Sequence, residues 1–92
     1  MITHFACKKT KAFFHGKRFA KFISFERIAI RKLQQLHSAT DLAFLRLPPG
    51  NKLEALRGDR EGQYSIRIND QWRICFIWQH GHAHHVEIVD YH

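Results

Sequence analysis

Ninety-two residues, 45% of them hydrophobic and 13% aromatic, are enough for one domain with a real core and too few for two, and that composition excludes a disordered chain. A formal charge of +7 on so short a chain points to a polyanionic partner, and no apolar run approaches the roughly 20 residues needed to span a bilayer. Cys7 and Cys75 stand far apart with no Cys-x-x-Cys pairing, and Lys8, Lys9 and Lys11 precede any apolar run. Free thiols and no signal peptide are therefore expected, and with them a soluble, cytoplasmic protein.

In chain order, Met1 to Phe5 is short and partly apolar, an expected edge strand. Lys8 to His15 reads as a basic helix with Ala12, Phe13 and Phe14 inward and Gly16 as its stop. Ser24 is placed to cap a main helix, with Glu26 in its first turn. Ala29, Leu33 and Leu36, with Ile30, form the buried stripe, while Arg27, Arg31 and Lys32 face elsewhere. Thr40 or Ser38 then caps a short helical turn from Asp41 to Leu45, and Leu47-Pro48-Pro49-Gly50-Asn51 interrupts regular structure. Lys52 to Leu56 is the first expected strand of a sheet.

The remainder alternates with period two. Ile66 and Ile68 alternate with Ser65 and Arg67, and Trp72, Ile74, Phe76 and Trp78 alternate with Arg73, Cys75 and Ile77. A third strand runs from Ala83 to Val89, with turns at Asn69-Asp70 and around His80-Gly81. Short alternating runs bounded by polar turns predict antiparallel strands with one buried face. The fold class is α+β, helices first and an antiparallel meander after. Charge follows that division. Residues 1–52 hold eleven Lys/Arg against two acids and residues 53–92 hold four against six, so the charge is +9 in the first part and −2 in the second.

The sheet's other face displays arginines and leads to Asp90-Tyr91-His92, a carboxylate, a phenol and an imidazole. His80, His82, His84 and His85 invite a zinc reading, but the strand period turns His85 away from His82 and His84, and no metal is expected there. The Trp72/Phe76/Trp78 stripe is read as core rather than a base-stacking platform. There is no P-loop, Gly-x-Ser-x-Gly or paired-carboxylate motif.

Leu53–Asp59, the string from Gly58 through Tyr64 to Phe76, and the closing Asp90-Tyr91-His92 resemble the HigB branch of the RelE-like toxins, with similarity to the GraT-type toxins within it. The resemblance covers essentially the whole chain. It implies the RelE-like fold and a ribosome-dependent endoribonuclease that cuts messenger RNA in the ribosomal A site. It also implies no cofactor, a HigA-like helix-turn-helix antitoxin as partner, and contact with DNA only through that antitoxin. Carried over residue by residue, it assigns catalysis to Arg73, Asp90, Tyr91 and His92 and phosphate contact to Arg57.

Cleavage by the ribose 2′-hydroxyl needs a base, an acid for the leaving oxygen, and cations for the phosphorane. His92 has the right intrinsic pKa for either proton role. A chain terminus at His92 would put a carboxylate beside the imidazole and favour its protonated form, hence the acid role. Arg73 and Arg57 offer planar forks for phosphate oxygens, and Arg60, Arg67 and Lys52 are further expected RNA contacts. Where some HigB proteins carry a strand histidine, this chain has Glu54, which either accepts the proton or pairs with a neighbouring arginine. A non-catalytic basic module that grips RNA or the ribosome without cutting remains the alternative.

Overall fold

The first residues do not make a strand of the sheet proper. In the computed structural model, which describes residues 1–90, Ile2 and Phe5 form isolated parallel bridges to Ala83 and Val86. Four main-chain hydrogen bonds hold this segment, among them Thr3 N–H to the Ala83 carbonyl at 2.9 Å and Ala6 N–H to the Val86 carbonyl at 3.0 Å. The expected edge strand is thus an edge cover with parallel pairing.

Helix α1 spans Lys8–Phe14 and buries Thr10 and Phe13. It ends as the glycine predicts: Gly16 has φ +106°, its N–H reaches the Phe13 carbonyl at 3.1 Å, and Lys17 N–H reaches that of Ala12 at 2.9 Å. That pair of bonds is a Schellman stop, which needs a left-handed residue.

Residues Ala20–Phe25 form a 3₁₀ turn, and helix α2 follows at Glu26–Ser38. Ser24 lies inside that turn and caps nothing; Phe25 occupies the N-cap position, with no side-chain cap bond. Glu26 still supplies a carboxylate to the first turn, and it pairs with Arg18 at 3.2 Å. Ala29, Leu33 and Leu36 are buried as the period requires. Each buried leucine contributes roughly 1.5–3 kcal/mol. The cap of the next 3₁₀ turn, Leu42–Arg46, is Asp41, whose carboxylate accepts from Ala43 N–H at 2.9 Å. Thr40 and Ser38 do not serve.

The sheet has strands β1 Glu54–Ala55, β2 Tyr64–Arg67, β3 Trp72–Gln79 and β4 His82–Asp90, all antiparallel in the order β1-β2-β3-β4. The α+β reading therefore holds, although β1 keeps only two of the five residues expected from Lys52 to Leu56. Asn69 shapes the β2–β3 turn by accepting from Gln71 and Trp72 N–H at 2.9 and 2.8 Å. The β3–β4 loop is His80-Gly81, both with positive φ, as a type I′ hairpin turn requires.

Ile66, Ile74 and Ile88 stand side by side in register and are buried, as is Phe76. Trp72 joins this core to the helical layer, stacking on Phe25 at 5.3 Å between ring centroids and meeting Phe22 edge-on at 5.8 Å. Both tryptophans are partly buried against the core, in agreement with the reading of that stripe as packing. Among the described residues no helix is long and apolar enough to cross a membrane.

Candidate functional site

The face of the sheet opposite the core is set by strand register. Glu54 pairs with Ser65, Ser65 with Cys75 and Cys75 with Glu87, so these four form one row across all four strands. The next row is Arg67, Arg73 and Val89. Cross-strand partners share a face, which puts two arginines directly opposite each other.

That like-charge contact is relieved because the two side chains turn apart. Arg67 pairs with Asp70 in the adjoining turn. Arg73 reaches diagonally: its Nε donates to Ser65 Oγ at 2.7 Å, one Nη donates to the Lys52 carbonyl at 2.8 Å, and Glu54 Oε1 lies 3.9 Å from that nitrogen. The Arg73 side chain is only 13% exposed, against 51% for Glu54. Arg73 is thus an embedded group with a fixed guanidinium plane, where alternation alone suggests a solvated one. Hydrogen bonds of this kind convert a flexible cation into an oriented one.

Arg60, on the 3₁₀ turn Gly58–Arg60, reaches across the same face to Glu87 at 2.8 Å and Gln63 at 3.1 Å. This strap, with Arg73, surrounds the fully buried Cys75. Burial pushes the Cys75 thiol up to about 11. Cys7, half-buried, is lowered instead, chiefly because the Thr10 backbone N–H bonds its sulfur. Iodoacetamide should therefore alkylate Cys7 in the native protein at least about 100-fold faster than Cys75, because only the thiolate reacts. Peptide mass spectrometry reads both sites. Equal native rates would show that the Arg60–Glu87 strap leaves Cys75 open.

Arg57 is exposed at the N-cap of the 3₁₀ turn, and Lys52 is exposed with φ +44°. Asp90, at the end of β4, pairs with Trp72 and accepts from Gln71 Nε2 at 3.1 Å. Tyr91 and His92 lie outside the described residues. Of the expected site, Arg73 and Glu54 come together, while Arg60 and Arg67 are engaged by Glu87 and Asp70.

The histidines go separate ways. His84 Nδ1 lies 2.8 Å from Thr3 Oγ1, and His85, at φ +54°, stacks on His4. Among the described residues no three His, Cys, Asp or Glu converge to hold a metal. A concavity of about 750 Å³ lies away from the arginine face, between α1 and α2, with Phe14, Lys17, Arg27 and Ile30 in its wall. It shares no residue with the arginine rows.

Sequence reasoning missed Ser65 as the acceptor for Arg73. Ser65 is completely buried on the face expected to be polar. A strand register laid out in advance would have put it diagonal to Arg73.

A chain of the heterotetrameric YoeB–YefM toxin–antitoxin complex of Staphylococcus aureus matches this fold with a TM-score of 0.61 and 19% identity, over 100% of this chain and 98% of that one. A second YoeB–YefM complex from the same organism gives 0.58 at 18% identity, over the same shares of the two chains. These likenesses show the fold, the RelE-like arrangement of helices on a small antiparallel sheet. The family model described as "RelE-like toxin of type II toxin-antitoxin system HigB" matches residues 3–92. Toxin HigB-1 of Vibrio cholerae is 38% identical over 85 residues, 90% of each protein. Endoribonuclease HigB of Proteus vulgaris is 39% identical over 61 residues, 66% of this chain and 65% of that protein. The chain belongs to the HigB family of type II toxins.

Proposed function

We propose that this toxin is a ribosome-dependent endoribonuclease that cuts messenger RNA in the ribosomal A site. The observation that carries the proposal is the Arg73 guanidinium, anchored by Ser65 and the Lys52 carbonyl beside the Glu54 carboxylate. Family membership and the name of the Proteus relative support cleavage as the reaction.

In the proposed reaction the ribose 2′-oxygen forms the new bond to phosphorus and the bond to the 5′-oxygen breaks. Glu54 takes the 2′-hydroxyl proton and His92 gives a proton to the leaving oxygen, with Asp90 assigned to orient the imidazole and Tyr91 to contact the phosphate. Arg73 faces the charge that builds on the phosphorane. Arg57, Lys52, Arg67 and Arg60 flank it as contacts to neighbouring phosphates, where charge and planar geometry suit RNA. The nucleophile belongs to the substrate, and the proposed scheme assigns both proton transfers and the phosphorane charge to side chains, without a metal.

A set this sparse gains most from a substrate already held in line, and that is what the ribosome supplies. The neutralising partner is a HigA-like helix-turn-helix antitoxin, through which alone DNA is engaged, and the site of action is the cytoplasm. The second reading, a binder that does not cut, draws support from the Glu54 carboxylate already lying 3.9 Å from Arg73.

One experiment decides between them. Purified toxin should cut message on programmed ribosomes and leave the same RNA, naked, essentially intact. Equal cutting of both substrates would make it an ordinary ribonuclease, and bound but uncut message on the ribosome would establish the binder.

A further inference from the structure

The passage from helices to sheet contains a fully buried amide. Asn51 is 0% exposed, and its side chain joins three elements. Its Oδ1 accepts from Lys32 Nζ on α2, and its Nδ2 donates to the Leu45 carbonyl at 3.2 Å and to Gln35 Oε1 at 3.4 Å. Its own N–H closes onto the Pro48 carbonyl at 3.0 Å. Lys32 was expected to face away from the core, yet burial lowers its pKa, helped by Arg67 and Arg31 nearby. A buried amide with every arm engaged is a fixed point of the backbone.

The residue after it is the one that touches the site. Lys52 has φ +44° and ψ +55°, a left-handed conformation that a lysine keeps only where its surroundings enforce it. This conformation aims the Lys52 carbonyl at Arg73, whose Nη2 donates to it at 2.8 Å. On an ordinary extended φ the carbonyl would point elsewhere, and Arg73 would keep Ser65 but lose this second anchor.

We infer that Asn51 is a positioning residue for Arg73: the buried amide pins the backbone so that the Lys52 carbonyl sets the guanidinium plane. The inference rests on the reading of Arg73 as the phosphate-facing group. It assigns to the Pro-Pro-Gly-Asn crossing a part in the reaction, which the resemblance to known toxins leaves as a connection only. A purely packing role for Asn51 would instead lower stability and leave Arg73 where it is.

The test uses the full chain, purified from its antitoxin complex, as wild type, Asn51→Ala, Asn51→Asp, Arg73→Ala and the double variant Asn51→Ala/Arg73→Ala. Asn51→Asp keeps the volume and the acceptor for Lys32, so it covers the case in which the alanine protein does not fold. Two quantities are read: single-turnover cleavage on programmed ribosomes, and the Arg73 Nε–Hε resonance in the free toxin. Asn51→Ala should slow cleavage about 10–30-fold at saturating ribosomes, with the half-saturating concentration within about 3-fold of wild type. Asn51→Asp should lose about 3–10-fold, and in both the Arg73 resonance should shift or broaden.

In the Arg73→Ala background, removing Asn51 should cost less than about 2-fold, because the two residues act as one unit. An unshifted Arg73 resonance with wild-type cleavage overturns the inference. So does an equal loss with and without Arg73, the mark of a packing residue. Wild-type cleavage by Arg73→Ala alone would instead sink the reading of Arg73 itself, while the resonance would still report whether Asn51 holds it.

Discussion

Replacing Arg73 by alanine should reduce single-turnover cleavage on programmed ribosomes on the order of 10²–10³-fold, the usual cost of losing one oriented donor to a developing oxyanion. Arg73→Lys keeps the charge without the fork and should recover only part of that loss. Stability tells a different story from rate. The side chain is 13% exposed and bonded to Ser65 and Lys52, so alanine leaves two acceptors without their donor. A hydroxyl rotates and a carbonyl near the surface is rewetted, so the cost should be about 1 kcal/mol, read as a small drop in the denaturant midpoint. An Arg73→Ala protein that fails to fold would make this arginine a strut of the sheet. A folded protein with wild-type cleavage would remove it from the reaction.

His92→Gln should have the other large effect. Glutamine keeps a polar group of similar reach but cannot carry a proton near neutral pH, so the loss should be about 10²-fold or more. Asp90→Asn should cost less, since Asp90 accepts a hydrogen bond from Gln71 at the end of β4 and is proposed to orient rather than transfer. Antitoxin binding and thermal stability of the His92 variant should match wild type. Cleavage by His92→Gln at the wild-type rate would leave Glu54 or Asp90 to carry the proton. A variant that loses antitoxin binding along with cleavage would give position 92 a structural duty.

The elements that sequence made legible are those ruled by period. Leu33 and Leu36 on α2, and Ile66, Ile74 and Phe76 in the sheet, are buried where spacing puts them, because removing apolar surface from water depends on direction alone. Gly16 was readable because only a left-handed stop uses it so well.

The failures were local and polar. Ser24 was expected to cap α2, but the 3₁₀ turn Ala20–Phe25 absorbs it, and the packing of Phe22 and Phe25 fixes that turn. Asp41, not Thr40 or Ser38, caps the next turn, a choice among three good cap residues that propensity does not resolve.

Of the candidate site, the sequence offered residues but not their anchoring. Resemblance named Arg73 and marked position 54, where this chain departs from a histidine with Glu54, and the fold sets the two side chains 3.9 Å apart. What holds Arg73 was hidden, because Ser65 and the Lys52 carbonyl look like an outward serine and a plain backbone group until the strands are aligned. Asn51 was hidden for a similar reason. An asparagine after Pro-Pro-Gly looks like any turn residue, and its burial depends on Lys32, Gln35 and Leu45 meeting it from elsewhere.

The N-terminal segment lying along β4 also bears on how the margins of the sheet are closed. Its four main-chain bonds occupy Ala83 and Val86, and one residue pair further Ile88 N–H is taken by Thr10 Oγ1 at 3.2 Å. At the opposite flank β1 is two residues long. An open sheet margin is a template on which another chain can add a strand. Here one margin is already occupied by the chain's own first residues and the other is too short to seed a ladder. Among the described residues, the sheet therefore offers an incoming strand little open ladder at either flank.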